Sequence, residues 1–88
     1  MYTTEVMIQN KLGLHARPAA RLVAFAQQFS SKVLLYVKDS GAEANVKSVI
    51  SVMSAGASCG KVVELVIQGE DEGVAGPQIA HFIETLED

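Results

Sequence analysis

The sequence predicts an α+β fold: an open-faced sandwich, β-α-β-β-α-β-α, with a four-stranded antiparallel sheet and three helices packed on one face. Three observations lead there. The apolar period switches from two residues over Tyr2–Gln9 to three and four residues between Ala16 and Phe29. Two later runs, Lys32–Val37 and Lys61–Ile67, are apolar and rich in β-branched residues, and turn signals bound them. Finally, 88 residues and 9.4 kDa suffice for one modest core and no second one. With no internal repeat, low-complexity tract or long linker, residues 1–88 read as a single domain.

Each element has its own signal. In the first strand Tyr2, Thr4, Val6 and Ile8 share one face, and Thr3, Glu5, Met7 and Gln9 the other. After the turn-prone Asn10-Lys11-Leu12-Gly13, an amphipathic helix carries Ala16, Ala19, Leu22, Val23, Ala26 and Phe29 on its apolar stripe, with Arg21 and Gln28 opposite. Ser30-Ser31 ends it. The second strand, Lys32–Val37, closes at Lys38-Asp39-Ser40-Gly41, and a short return strand is expected through Ala42–Ala44. Ser48 before Val49–Met53 and Gly56 behind them mark a helix of about two turns. Lys61–Ile67 is apolar on both faces and is expected at the centre of the sheet. In the last segment Gly73, Gly76 and Pro77 interrupt the pattern. Proline fits the first helical turn, so regular helix is expected from about Pro77, with Ile79, Phe82, Ile83 and Leu86 buried.

Composition excludes several function classes. Seven Lys+Arg against ten Asp+Glu give a net charge of −3, which argues against holding nucleic acid or an anionic membrane by bulk electrostatics. A chain this short leaves no room for a deep enzyme pocket. One cysteine, Cys59, rules out an internal disulfide, and with two histidines there is no conventional structural zinc site, so no metal and no cofactor are expected. No phosphate-binding Gly-x-x-x-x-Gly-Lys-Ser/Thr loop is present, which leaves an autonomous ATPase unsupported. MYTTEVMIQN lacks the basic and apolar blocks of a signal peptide, and no stretch approaches the ~18 apolar residues of a membrane span. The expectation is a monomer in the reducing cytoplasm.

Gly13-Leu14-His15-Ala16-Arg17-Pro18 lies where a loop enters the first helix. Helix N-termini carry unpartnered amides and partial positive charge, so they suit anions. Pro18 sets the first turn and leaves the donors of Ala16 and Arg17 available. At physiological pH a histidine side chain is a neutral nucleophile, and Arg17 offers a permanent guanidinium for phosphate oxygens. Nucleophile, fixed cation and free amides together are what a transferring phosphoryl group requires.

The run Gly13-Leu14-His15-Ala16-Arg17-Pro18-Ala19 resembles the active-site signature of HPr, the histidine-containing phosphocarrier family of the bacterial sugar phosphotransferase system. A second block, Val46-Lys47-Ser48-Val49-Ile50-Ser51-Val52-Met53-Ser54-Ala55-Gly56, is similar to that family's regulatory serine region, and the resemblance covers nearly the whole chain. It implies that His15, through Nδ1, takes a phosphoryl group from phosphorylated Enzyme I, itself charged by phosphoenolpyruvate, and passes it to a sugar-specific EIIA domain. It also implies that Ser48, by its position a helix N-cap, is a regulatory site. Phosphorylation there by HPr kinase/phosphorylase slows transfer at the histidine and creates a form that binds a catabolite-control transcription factor.

Val49, Ile50, Val52 and Met53 give a short helix more apolar surface than one buried stripe uses. Two are expected to face the sheet, and the rest, with Ala20, to form a docking patch; Ala20, Val49, Ile50 and Met53 are its candidates. The family docks Enzyme I and EIIA on this surface. Here Ile50 stands where methionine or phenylalanine is common and Ser51 where glycine is usual, and Ala24, Gln27 and Gln28 are uncharged, so docking leans less on charge. His81 is expected to be a solvated helix residue, Cys59 an unremarkable thiol, and Glu70-Asp71-Glu72 a response to a helix dipole. An alternative from another class is a regulatory paralogue, nitrogen-related or of the catabolite co-repressor type, acting as a binding module through Ser48. His15 beside Arg17 favours the carrier.

Overall fold

A computed structural model describes residues Met1–Asp88. Two-residue alternation gives β1 (Tyr2–Met7), in which Val6 is buried, Tyr2 and Thr4 are half-buried and Thr3, Glu5 and Met7 face outward. Ile8 still points into the core, although the strand ends one residue before it. The expected switch to helical periodicity produces α1 (Ala16–Ala26), which buries Pro18, Ala19, Leu22, Val23 and Ala26. Ala16, expected on that stripe, is exposed, because the chain only enters the helix there and the packed face begins at Pro18 and Ala19. Phe29 follows the helix and meets Phe25 edge-on, with ring centroids 5.6 Å apart.

The β-branched and aromatic run forms β2 (Lys32–Val37), burying Val33, Leu35 and Val37. The return strand β3 (Glu43–Asn45) lies one residue later than expected. It is followed by α2 (Val49–Ser54), β4 (Val62–Gln68) and α3 (Glu72–Glu84). All neighbouring strands are antiparallel, in the order β1-β4-β2-β3. β4 is central, as its composition suggested, with Leu65 opposite Thr4 on one side and Leu35 on the other. Only one of its faces is covered: Val63, Leu65 and Ile67 are buried, whereas Val62, Glu64 and Val66 lie on the open face of the sheet.

The core lies between the covered face and the helices. Leu35, Leu65 and Ile67 from the sheet and Leu22, Ile79 and Ile83 from the helices are at most 1% exposed. Burial of each such side chain is worth about 1.5–3 kcal/mol, so the apolar alternation itself fixes which face of each strand turns inward.

α3 corrects the expectation for the C-terminal segment: it begins at Glu72, five residues before Pro77. Two local features let the helix run through the proline. Pro77 is exposed, so the carbonyl of exposed Gly73 that loses its helical partner can turn to water. Gly76 is buried because α3 crosses β1 closely there, where a Cβ would stand 2.2 Å from the Tyr2 ring. Glycine at this position serves packing and not a helix break. Phe82 stacks on Phe25 at 4.5 Å, tying α3 to α1.

Asp71 is a second correction. It occupies the N-cap position of α3, where its carbonyl accepts the Ala75 N–H at 2.8 Å, but its side chain makes no cap bond. Its carboxylate instead accepts the N–H groups of Ser30 (2.9 Å) and Ser31 (3.0 Å) and the Ser31 hydroxyl. The Ser31 hydroxyl, followed by the Ser30 amide, holds this carboxyl below its ordinary value of 3.8.

Candidate functional site

The segment before α1 is a tightly determined turn. Gly13 donates its N–H to the Asn10 carbonyl (3.1 Å), and Leu14 donates to the carbonyl of Ala57 (2.9 Å). Gly13 has a φ of +67°, and a Cβ on it would lie 2.5 Å from the Ala57 oxygen, so conformation and space both call for glycine. Leu14 is buried and anchors the turn in the core.

Beyond Leu14 the chain leaves its donors open. His15 is the N-cap residue of α1, extended at φ −117° and ψ −171°, and its side chain makes no cap bond. The first helical bond runs from the Ala19 N–H to the His15 carbonyl at 2.8 Å. The N–H groups of His15, Ala16 and Arg17 have no partner in the protein, and Pro18, third in the helix and buried, has no N–H to contribute. Three consecutive amides are therefore unpartnered at one helix end, where the partial positive charge of the helix also lies. The sequence expectation named two of them, Ala16 and Arg17; the His15 amide is the third. The His15 and Arg17 side chains are exposed and engage in no hydrogen bond or ion pair.

Beside His15 lies a shallow recess of about 140 Å³, lined by Leu12, Leu14, His15, Met53, Gly56, Ala57 and Ser58. It brings the loop, the helix entry and the C-terminal end of α2 together. Ile50 is 79% exposed and Met53 42% exposed, while Val52 is buried and Val49 packs half-buried against the core. The short helix thus divides two and two. Ala20 is exposed on α1, the helix that α2 packs against. Leu12, 58% exposed, lines the same recess as His15 and Met53 and extends the apolar surface there. Sequence reasoning missed it; an exposed leucine within a polar turn was the available signal.

Ser48 is the N-cap of α2, and its hydroxyl oxygen accepts the Ser51 N–H at 3.3 Å. The Ser51 oxygen in turn accepts the Asn45 N–H at 2.8 Å, and Lys47 Nζ donates to the Phe29 carbonyl. The start of α2 is thereby fastened to β3, and Lys47 beside it to the segment that follows α1. His81 is exposed as expected, in a separate recess of about 350 Å³ between α1 and α3 with Phe25 and Phe82. Although larger, that recess shares no residue with the His15 site. Cys59 is exposed, with Sγ 3.7 Å from the Gln9 carbonyl. No three His, Cys, Asp or Glu side chains gather closely enough to hold a metal ion, and no helix is long and apolar enough to cross a membrane.

Comparison with known proteins agrees with this geometry. Residues 2–85 match the family model described as "PTS HPr component phosphorylation site". The chain is 44% identical over 75 residues to the phosphocarrier protein HPr of Treponema pallidum, covering 85% of this chain and 83% of the relative. It is 39% identical over 84 residues to the HPr-like protein Crh of Bacillus subtilis, covering 96% of each. Its fold superposes on the crystal structure of HPr from Thermoanaerobacter tengcongensis with a TM-score of 0.88, at 40% identity, over 97% of this chain and 93% of that one. Family model, sequence relatives and superposed fold agree, and the chain belongs to the HPr phosphocarrier family of the phosphotransferase system.

Proposed function

We propose that His15 is the phosphoryl acceptor, charged by phosphorylated Enzyme I and discharged to EIIA domains. The observation that carries this reading is the row of unpartnered amides at His15, Ala16 and Arg17 beside an exposed imidazole. In the forward step a ring nitrogen lone pair forms the N–P bond while the bond from phosphorus to the donor breaks, its electron pair leaving with the donor. Delivery to EIIA is the same displacement with His15 as leaving group. The amides of Ala16 and Arg17 and the Arg17 guanidinium oppose the charge of the phosphoryl oxygens. Exposure lets two partners reach the group in succession. Ala20, Ile50 and Met53, with Leu12, are the exposed apolar surface on which both dock; Val49, expected among them, packs half-buried against the core and offers only its accessible part. The carrier acts as a cytoplasmic monomer, a single domain spanning residues 1–88.

Incubation with phosphoenolpyruvate and Enzyme I tests the reading. One acid-labile phosphate per chain is expected, and none in His15→Ala; labelling that survives the substitution removes His15 from the role.

A second reading draws on the likeness to Crh and on the cap at Ser48. Phosphorylation of Ser48 by an HPr kinase/phosphorylase would place nearly two negative charges at the edge of the docking surface. That charge impedes Enzyme I and suits a catabolite-control transcription factor. Ser48→Asp is expected to slow charging by Enzyme I more than Ser48→Ala does; equal effects would point to loss of the cap alone.

A further inference from the structure

The loop that delivers His15 is held by the side chain of Asp88. Asn10 is 8% exposed and shares with Ser31 the distinction of being a buried polar residue. Its Nδ2 donates to the Gly13 carbonyl and to Asp88 Oδ1, both at 2.8 Å. The same Asp88 oxygen accepts the Leu12 N–H at 3.0 Å. Asn10 Oδ1 is buried without a partner. Turning the amide over would set its oxygen against the Gly13 carbonyl and a carboxylate, so these two acceptors fix its orientation at the expense of that atom. Every donor from Leu12 to Leu14 is then occupied, and the open amides begin at His15. The Leu12 amide, and after it the Asn10 side chain, holds the Asp88 carboxyl below its ordinary value of 3.8, so the acceptor is a carboxylate at neutral pH.

We infer that Asn10 and Asp88 are positioning residues for phosphoryl transfer: the Asp88 carboxylate, through the Asn10 amide and the Leu12 N–H, sets the attitude of the Asn10–Leu14 turn and hence of the His15 imidazole and its three amides. Neither residue meets the phosphoryl group. The role rests on the carrier reading, since it concerns the rate at which His15 is charged.

Asp88 is exposed and outside the core, so Asp88→Ala leaves the fold intact. With Enzyme I as donor, this variant is expected to lower kcat for charging by about tenfold while KM stays within about twofold, because Ala20, Ile50 and Met53 of the docking surface lie on the helices, outside the relaxed turn, and the main change is in the geometry of attack. Asp88→Asn keeps a neutral acceptor and is expected to fall between the two. Amide exchange at Leu12 should quicken in Asp88→Ala. A kcat within about twofold of the unaltered protein, or an effect confined to KM, overturns the inference. If the unaltered protein takes no phosphate at all, the carrier reading falls and this role with it; if it is charged and Asp88→Ala is charged equally fast, only the positioning role falls.

Discussion

At its entry, α1 follows a turn in which buried Asn10 donates to Asp88; at its exit, the chain passes through buried Ser31, which donates to Asp71. Both carboxylates come from the C-terminal part of the chain, one from each flank of α3. Beyond that common device the two ends diverge. At the exit the Ser30 and Ser31 amides are bound and Lys47 covers the Phe29 carbonyl. At the entry the clamp stops at Leu14 and the next three N–H groups are left open. The segment leaving the helix is thus tied down by side chains, whereas the N–H groups at its entry are left to solvent. Backbone that is held up to the last residue before an opening gives directed, solvated donors without a mobile loop.

The largest effect expected from breaking this contrast is at Gly13. Gly13→Ala puts a Cβ against Ala57 in a left-handed conformation, and should cost about 2–4 kcal/mol in urea unfolding, with loss of charging at His15. Arg17→Ala separates ligand reception from stability. The side chain has no partner in the protein, so melting should be unchanged, while phosphoryl transfer slows about 10–100-fold, the equivalent of one charge-assisted bond of ~1.5–3 kcal/mol. Wild-type rates with both partners would show that the open amides suffice alone.

Ser48→Ala removes a side-chain cap of the kind α1 lacks, and should lower stability by about 1 kcal/mol. The exit clamp has a pH signature. The Asp71 carboxyl is held low in the folded protein, so its contribution is present above the unfolded value of 3.8 and disappears as pH falls through the lower folded value. Asp71→Asn should therefore flatten the acid limb of a stability–pH curve and leave charging at neutral pH intact. An unchanged acid limb would mean that the Ser30–Ser31 contacts do not persist in solution.

Much of the contrast was legible from local chemistry. The period change at Asn10–Gly13, the proline and the position of His15 located the open end, and Ser48 before an apolar run located the capped one. The two clamps were not legible, because they join residues 41 and 78 positions apart, and no local pattern couples Ser30 to Asp71 or Asn10 to Asp88. Glu70-Asp71-Glu72 read locally as a helix start, and it is one, but the aspartate serves a different element. The early start of α3 was hidden for a related reason. Gly73, Gly76 and Pro77 each disfavour helix in isolation, and it is the crossing over Tyr2 and the exposed side of Pro77 that reconcile them.

The open donors at the start of α1 also bear on how tightly a phosphate is held. They face solvent, so under the carrier reading a phosphoryl group would replace water on each of them, and the net gain per bond would be only ~0.5–1.5 kcal/mol, or ~1.5–3 where charge assists. A deep, dry cradle would have turned the same groups into a sink. On the carrier reading proposed above, a shallow one leaves the energy of the N–P linkage nearly undiminished, so that the next acceptor would inherit most of the driving force that the first donor supplied.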